Sequence, residues 1–164
     1  SPAAEAGLSR GMVLTTLNGR ALGDSGDYGL ALAEVGVGQE VRLGLLQSGQ
    51  ALERSLKARA FPLEQGMDLA WRRLGFTVAD LDGRAVARHR VRPGSAVMIE
   101  KIRRGSAAEE AGLQPGDLIR QVGDGATPSR ETFLRQMAKH RLLPRITVLA
   151  QRGHNAQYLT LGPE

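Results

Sequence analysis

Sliding the chain against itself by 105 positions brings residues 1–56 into register with 106–161 without a gap. Ser1, Ala3, Glu5, Ala6, Gly7, Leu8, Gly11 and Ala21 meet identical partners. The apolar pattern stays in phase further on, setting Tyr28 on Phe133, Leu32 on Met137, Val41 on Ile146, Leu43 on Val148 and Leu56 on Leu161. A chain with such a repeat must build one supersecondary plan twice.

The plan is readable from its opening. Ser106 is placed to cap a short helix, with Glu109 three positions on reaching back to the cap's own amide. Pro2 in the first copy suits the first helical position. Gly112 and Gly7 stand where such a helix ends in a left-handed residue. Pro115-Gly116 then reads as a tight turn into an apolar strand, Leu118 to Val122, matched by Met12 to Leu17. After the turns at Asn18-Gly19 and Gly123-Asp124-Gly125 each copy predicts a helix, Gly26 to Glu34 and Ser129 to His140, with Ser129 as an N-cap. Two strands close each unit: Val41 to Leu46 with Leu52 to Leu56, and Ile146 to Ala150 with Gln157 to Leu161. The fold class is mostly β with short helices, an α+β arrangement of two small, partly open β-barrels capped by helices.

The copies are unequal. Trp71 to Arg104 precedes the second motif and has no counterpart before Ser1. It holds a strand entry at Leu74-Gly75-Phe76-Thr77-Val78, a polar and basic loop, and a strand around Val97 to Ile102. The expected organisation is a first domain at 1–60 lacking its N-terminal strands, a linker at 61–70 with a short helical turn, and a complete second domain at 71–164. The first is expected to be truncated at the chain boundary or completed by another segment, because an unpaired edge invites a partner strand.

Composition narrows the function classes. With no cysteine there is neither a disulfide framework nor a thiolate metal site. No apolar run approaches membrane-spanning length. The net charge of +5 invites a nucleic-acid reading. Its excess is concentrated in Arg84, Arg88, Arg90, Arg92, Lys101, Arg103 and Arg104, against the single acid Glu100. None of the six aromatic residues lies in that stretch to stack on a base, so a solvated arginine-rich face is the better account. His89, His140 and His154 lack ligand spacing, so no metal or cofactor is expected.

Gly23-Asp24-Ser25-Gly26 spells the nucleophile motif of trypsin-like proteases. In that order the histidine base precedes the serine, and no histidine precedes Ser25 here. The repeat places Ser25 at a helix start, where Asp, Ser and Gly are capping residues. No catalytic residue is assigned, and the chain is not expected to be an enzyme.

The stretch Gly105 to Ile119, together with Asn18-Gly19-Arg20-Ala21-Leu22, resembles the PDZ domains of bacterial HtrA/Deg-type serine proteases. The resemblance covers nearly the whole chain outside the linker and implies tandem PDZ-like domains without their protease domain. It implies binding of hydrophobic C-termini or extended segments by strand addition, in the service of protein quality control in the periplasm or cell envelope. Leu74-Gly75-Phe76 matches the loop that meets a ligand carboxylate, with glycine required for backbone N–H groups to turn inward. Phe76, Thr77 and Val78 would be the pairing edge. Phe133, Gln136 and Met137 would be the facing wall, with one of Phe133 and Met137 turned to the groove, and Arg72 or Arg73 would add positive charge. Implied partners are peptide or unfolded-protein C-termini, an upstream protease domain and further copies through the full-length protein. The alternatives are a non-catalytic scaffold for an envelope complex and, more weakly, a basic-face nucleic-acid binder.

Overall fold

The computed structural model describes residues 1–162. Residues 163 and 164, the end of the expected second domain, lie outside the described residues. The chain divides into two compact units, the first being Ser1–Ala60 and the second beginning at Phe61.

In the first unit, helix α1 (Pro2–Glu5) is capped by Ser1, whose Oγ accepts from the Ala4 N–H at 3.4 Å. It ends as the glycine predicts, with Gly7 at φ +79°. Strand β1 (Val13–Leu17) turns through Asn18-Gly19 into β2 (Arg20–Ala21). Both turn residues have positive φ, the geometry of a tight hairpin. Helix α2 (Ser25–Ala33) follows, then β3 (Glu40–Gln47) and β4 (Gln50–Lys57), giving an antiparallel sheet in the order β2-β1-β3-β4. Its core is Leu17, Ala31, Val41, Leu43 and Leu45, the inward residues of the strands and one helical contact. The protease-like tetrapeptide lies at the start of α2: Asp24 is the N-cap, accepting from the Asp27 N–H at 2.9 Å, and Ser25 is the first helical residue.

The second unit opens with a 3-10 turn (Leu63–Gln65) running into α3 (Gly66–Arg73). Where the sequence reads as a linker with a short helical turn, the chain has a helix of two turns. Next come β5 (Phe76–Asp80), α4 (Gly83–His89) and β6 (Val97–Ile102). The expected polar loop between the two strands is thus partly helical. Asp82 caps α4 by accepting from the Ala85 N–H at 2.7 Å, and Arg90 ends it in the left-handed region. The repeated motif follows as α5 (Ala107–Glu110) and β7 (Leu118–Val122), then β8 (Gly125–Ala126), α6 (Arg130–Lys139), β9 (Ile146–Arg152) and β10 (Asn155–Leu161). The sheet order is β10-β9-β7-β6-β5 with β8 against β7, so β5 is an end strand.

The motif differs from its sequence reading in one detail. Ser106 caps α5, accepting from the Glu109 N–H, but the Glu109 carboxylate reaches past the cap to the Gly105 N–H at 2.7 Å. The second copy also carries an ion pair that the first lacks. Buried Asp117 accepts from the Gln114 N–H at 2.8 Å and from Arg152 Nε and Nη2 at 2.6 and 2.7 Å. The aligned positions in the first copy are Met12 and Gln47.

Candidate peptide-binding site

The segment singled out by the sequence begins where α3 ends. Leu74 and Gly75 donate their N–H groups to the Ala70 carbonyl at 2.8 and 3.0 Å, closing the helix. Gly75 sits at φ +87°, and a Cβ there would stand 2.1 Å from the Ser106 Cβ. Two independent constraints therefore select glycine: a backbone that L residues rarely adopt and contact with the cap of the repeated motif. The loop is held on both carbonyls as well. The Ala108 N–H donates to Leu74 O at 3.0 Å and the Arg103 N–H to Gly75 O at 2.7 Å. The Ser-x-Ala repeat is in this way the mount for the Leu-Gly-Phe loop.

From the loop, β5 pairs with β6 on one side only, Phe76 opposite Ile102 through Asp80 opposite Val97, with a register shift between Thr77 and Val78. Helix α6 lies against β5. The Phe76 and Phe133 rings have centroids 5.8 Å apart in a tilted arrangement, and the Arg130 N–H donates to Asp80 Oδ1 at 2.5 Å, tying the end of the strand to the start of the helix.

The structure brings most of the expected residues together, but as packed core. Leu74, Phe76, Val78, Phe133 and Met137 are all at most 1% exposed and belong to one apolar cluster. Phe133 and Met137, expected to face opposite ways, are both fully buried. They are one turn apart on a helix that meets β5 and the sheet on the same side, so a single apolar face serves both. The Thr77 Oγ1 is buried without a hydrogen-bond partner. Gln136 is turned elsewhere: its amide packs against Gly125 of β8, where a Cβ would lie 2.1 Å from Gln136 Cδ.

Arg73 is committed to the protein's own backbone. Its Nη1 donates to Arg141 O at 2.7 Å and His140 O at 3.3 Å, and its Nη2 to Leu143 O and Pro144 O. These carbonyls lie at and beyond the α6 C-terminus, where a guanidinium satisfies otherwise orphaned acceptors. Burial lowers the Arg73 pKa from its ordinary value, yet a guanidinium remains charged throughout. Arg72 is exposed and pairs with Asp68 one turn earlier at 2.6 Å.

Sequence reasoning missed one of the elements that cover these residues, beside the sheet's own Ile99, Ile119 and Val148. Helix α3 lies against both β5 and α6. Ala70 is fully buried in the same cluster as Phe76 and Phe133, with Met67 and Leu69 packed onto it. A Cβ on Gly66 would stand 3.1 Å from the Leu134 Cβ, so the helix start touches α6 directly. The signal was present: Leu63, Met67, Ala70 and Leu74 recur at helical spacing.

Residues 68–141, all within the second unit, match the PDZ-domain family model. The chain is related to the DegP and DegQ proteins of the HtrA type over most of its length. It is 28% identical over 141 residues to a probable periplasmic serine endoprotease DegP-like of Pseudomonas putida, covering 80% of this chain and 29% of that protein. It is 27% identical over 172 residues to the periplasmic pH-dependent serine endoprotease DegQ of Escherichia coli, covering 98% of this chain and 34% of that one. Among solved structures, an HtrA-type protease AlgW with tripeptide matches at a TM-score of 0.49 and 15% identity, over 76% of this chain and 52% of that one. The chain thus spans about a third of the length of these curated relatives. Among the described residues no helix is long and apolar enough to cross a membrane.

Proposed function

We propose that the second unit recognises hydrophobic C-termini or extended segments of other proteins by adding them as a strand to β5, and that it does so for an HtrA-type protease in the periplasm. The first unit is read as a second PDZ-like module of the same protein. One observation carries this reading: within a PDZ domain, the end strand β5 starts from a glycine loop with α6 at its side. Strand addition needs those three parts together, an unpaired edge, a turn of backbone amides for the carboxylate, and an apolar helix face for the side chains. The relatives' names supply the protease and the compartment. The contribution of this chain would be recognition, delivering a substrate or reporting its presence. A short strand addition corresponds to micromolar affinity, on the order of 8 kcal/mol.

Calorimetric titration of an apolar peptide with a free C-terminus, beside its amidated twin, tests the reading. The free acid is expected to bind at least about tenfold more tightly, a difference of roughly 1.4 kcal/mol. Equal binding of the two would remove the role assigned to Leu74-Gly75-Phe76.

A further inference from the structure

We infer that α3 is a built-in occupant of the β5/α6 groove, and that a peptide gains access only when this helix lifts away. The inference rests on the strand-addition reading and adds its regulation. If β5 and α6 are the two walls of a peptide groove, the walls should be apolar and accessible. Here Phe76, Val78, Phe133 and Met137 are buried to within 1%. Ala70, Met67 and Leu69 of α3 pack in the same cluster.

The occupant also imitates a ligand at the loop. The N–H groups of Leu74 and Gly75, which the reading aims at a carboxylate, are taken by the Ala70 carbonyl at 2.8 and 3.0 Å. Helix α3 runs into the loop and β5 leaves it, so the helix approaches the loop C-terminal end first, the end that a bound peptide would present. It is fastened by Gly66 against Leu134, by the Arg73 guanidinium on the carbonyls of residues 140 to 144, and by Arg103, which lies over the Trp71 ring and donates to Arg72 O at 3.3 Å.

The helix by itself has little intrinsic stability, as a releasable element requires. Gly66 and the two-turn length are poor for an isolated helix, which depends on its packed face. Before the helix, Phe61 lies under the Arg141 guanidinium at 5.9 Å and the 3-10 turn packs on α6, so these contacts part together with α3. Arg73 is the charged side chain of α3 spent on the carbonyls at and beyond the end of α6, so its substitution loosens the helix and frees those carbonyls without changing any apolar side chain of β5 or α6.

The test uses the chain's lack of cysteine. The double variant Gly66→Cys, Leu134→Cys sets two Cβ atoms 3.1 Å apart, inside the usual disulfide separation of about 3.8 Å, so a small outward adjustment of α3 brings the bond into range. Oxidation then locks α3 in place and reduction frees it. The probe is the free-acid apolar peptide, read by calorimetry and by emission of Trp71, the only tryptophan, which lies on α3. The reduced form is expected to bind and to shift Trp71 to longer wavelength, the oxidised form to bind on the order of tenfold or more weakly, and Arg73→Gln to bind more tightly than the parent chain, because a rare open state divides the apparent affinity. Thermal unfolding of both redox forms checks that each is folded. Equal binding by oxidised and reduced protein overturns the plug while leaving the strand-addition reading in place. Absence of binding in the reduced form and in Arg73→Gln alike overturns the strand-addition reading, and the plug with it.

Discussion

Gly75 is constrained twice over. Its φ of +87° alone disfavours any L side chain, and the Ser106 Cβ stands 2.1 Å from where a Cβ would be. Gly75→Ala is therefore expected to destabilise the second unit by about 2–4 kcal/mol, read as a lower midpoint in urea. Adding Ser106→Gly removes the steric part and leaves the backbone part, so the double variant should recover some of the loss and remain below the parent. A single variant within about 0.5 kcal/mol of the parent would contradict this account. That position 75 needs a glycine is legible in the sequence, because a glycine between two large apolar residues ahead of a strand asks for a reason. Its contact with Ser106 is not legible there. That contact joins residues thirty-one apart and depends on how α5 meets the loop.

At the scale of elements the repeat has strong predictive power for strands and capped helices, where local chemistry and periodicity coincide. It falls short where tertiary packing decides. Tyr28 and Phe133 occupy equivalent helix positions, yet Tyr28 is 37% exposed while Phe133 is fully buried. The difference is β5, whose Phe76 packs on Phe133 and which has no counterpart among residues 1–60. Helix α4 is hidden by its arginines, which read as a loop until Asp82 is seen to cap it.

A second element-level consequence concerns the turn between β7 and β8. Asp124 there holds Lys139 of α6 through both carboxylate oxygens, at 2.8 and 2.7 Å, and stands 3.3 Å from His140 Nε2. The hydrogen bond from Lys139 is the largest influence keeping the Asp124 carboxyl below its ordinary pKa. A lowered native pKa adds stability above the usual carboxylate range, and that stability is lost as pH falls through the lowered value. Asp124→Asn should accordingly lower the unfolding temperature near neutrality and converge with the parent in acid. Parallel curves at every pH would rule out this linkage.

For the whole molecule, the net charge of +5 is a statement about encounters more than about fold. Peptides rich in Asp and Glu ahead of an apolar C-terminus should associate faster than neutral ones. Their association rate should fall as salt rises from about 0.05 to 0.5 M, with little change in dissociation. Stopped-flow mixing measures both rates. A salt effect confined to dissociation would place the charges in the bound contact instead. These curated relatives are about three times as long as this chain, and the rates bear on the proposed recognition step alone.

Helix α3 is joined to the loop it covers by no intervening residues, since its C-cap is Leu74 itself. A competitor on so short a leash is present at an effective concentration of order millimolar or above, whatever the protein concentration. Diluting the protein cannot loosen it, and a scarce or weak chain end cannot displace it. The groove would then answer to how many apolar ends are exposed around it, staying silent at the background level of a healthy compartment and opening when unfolded chains accumulate.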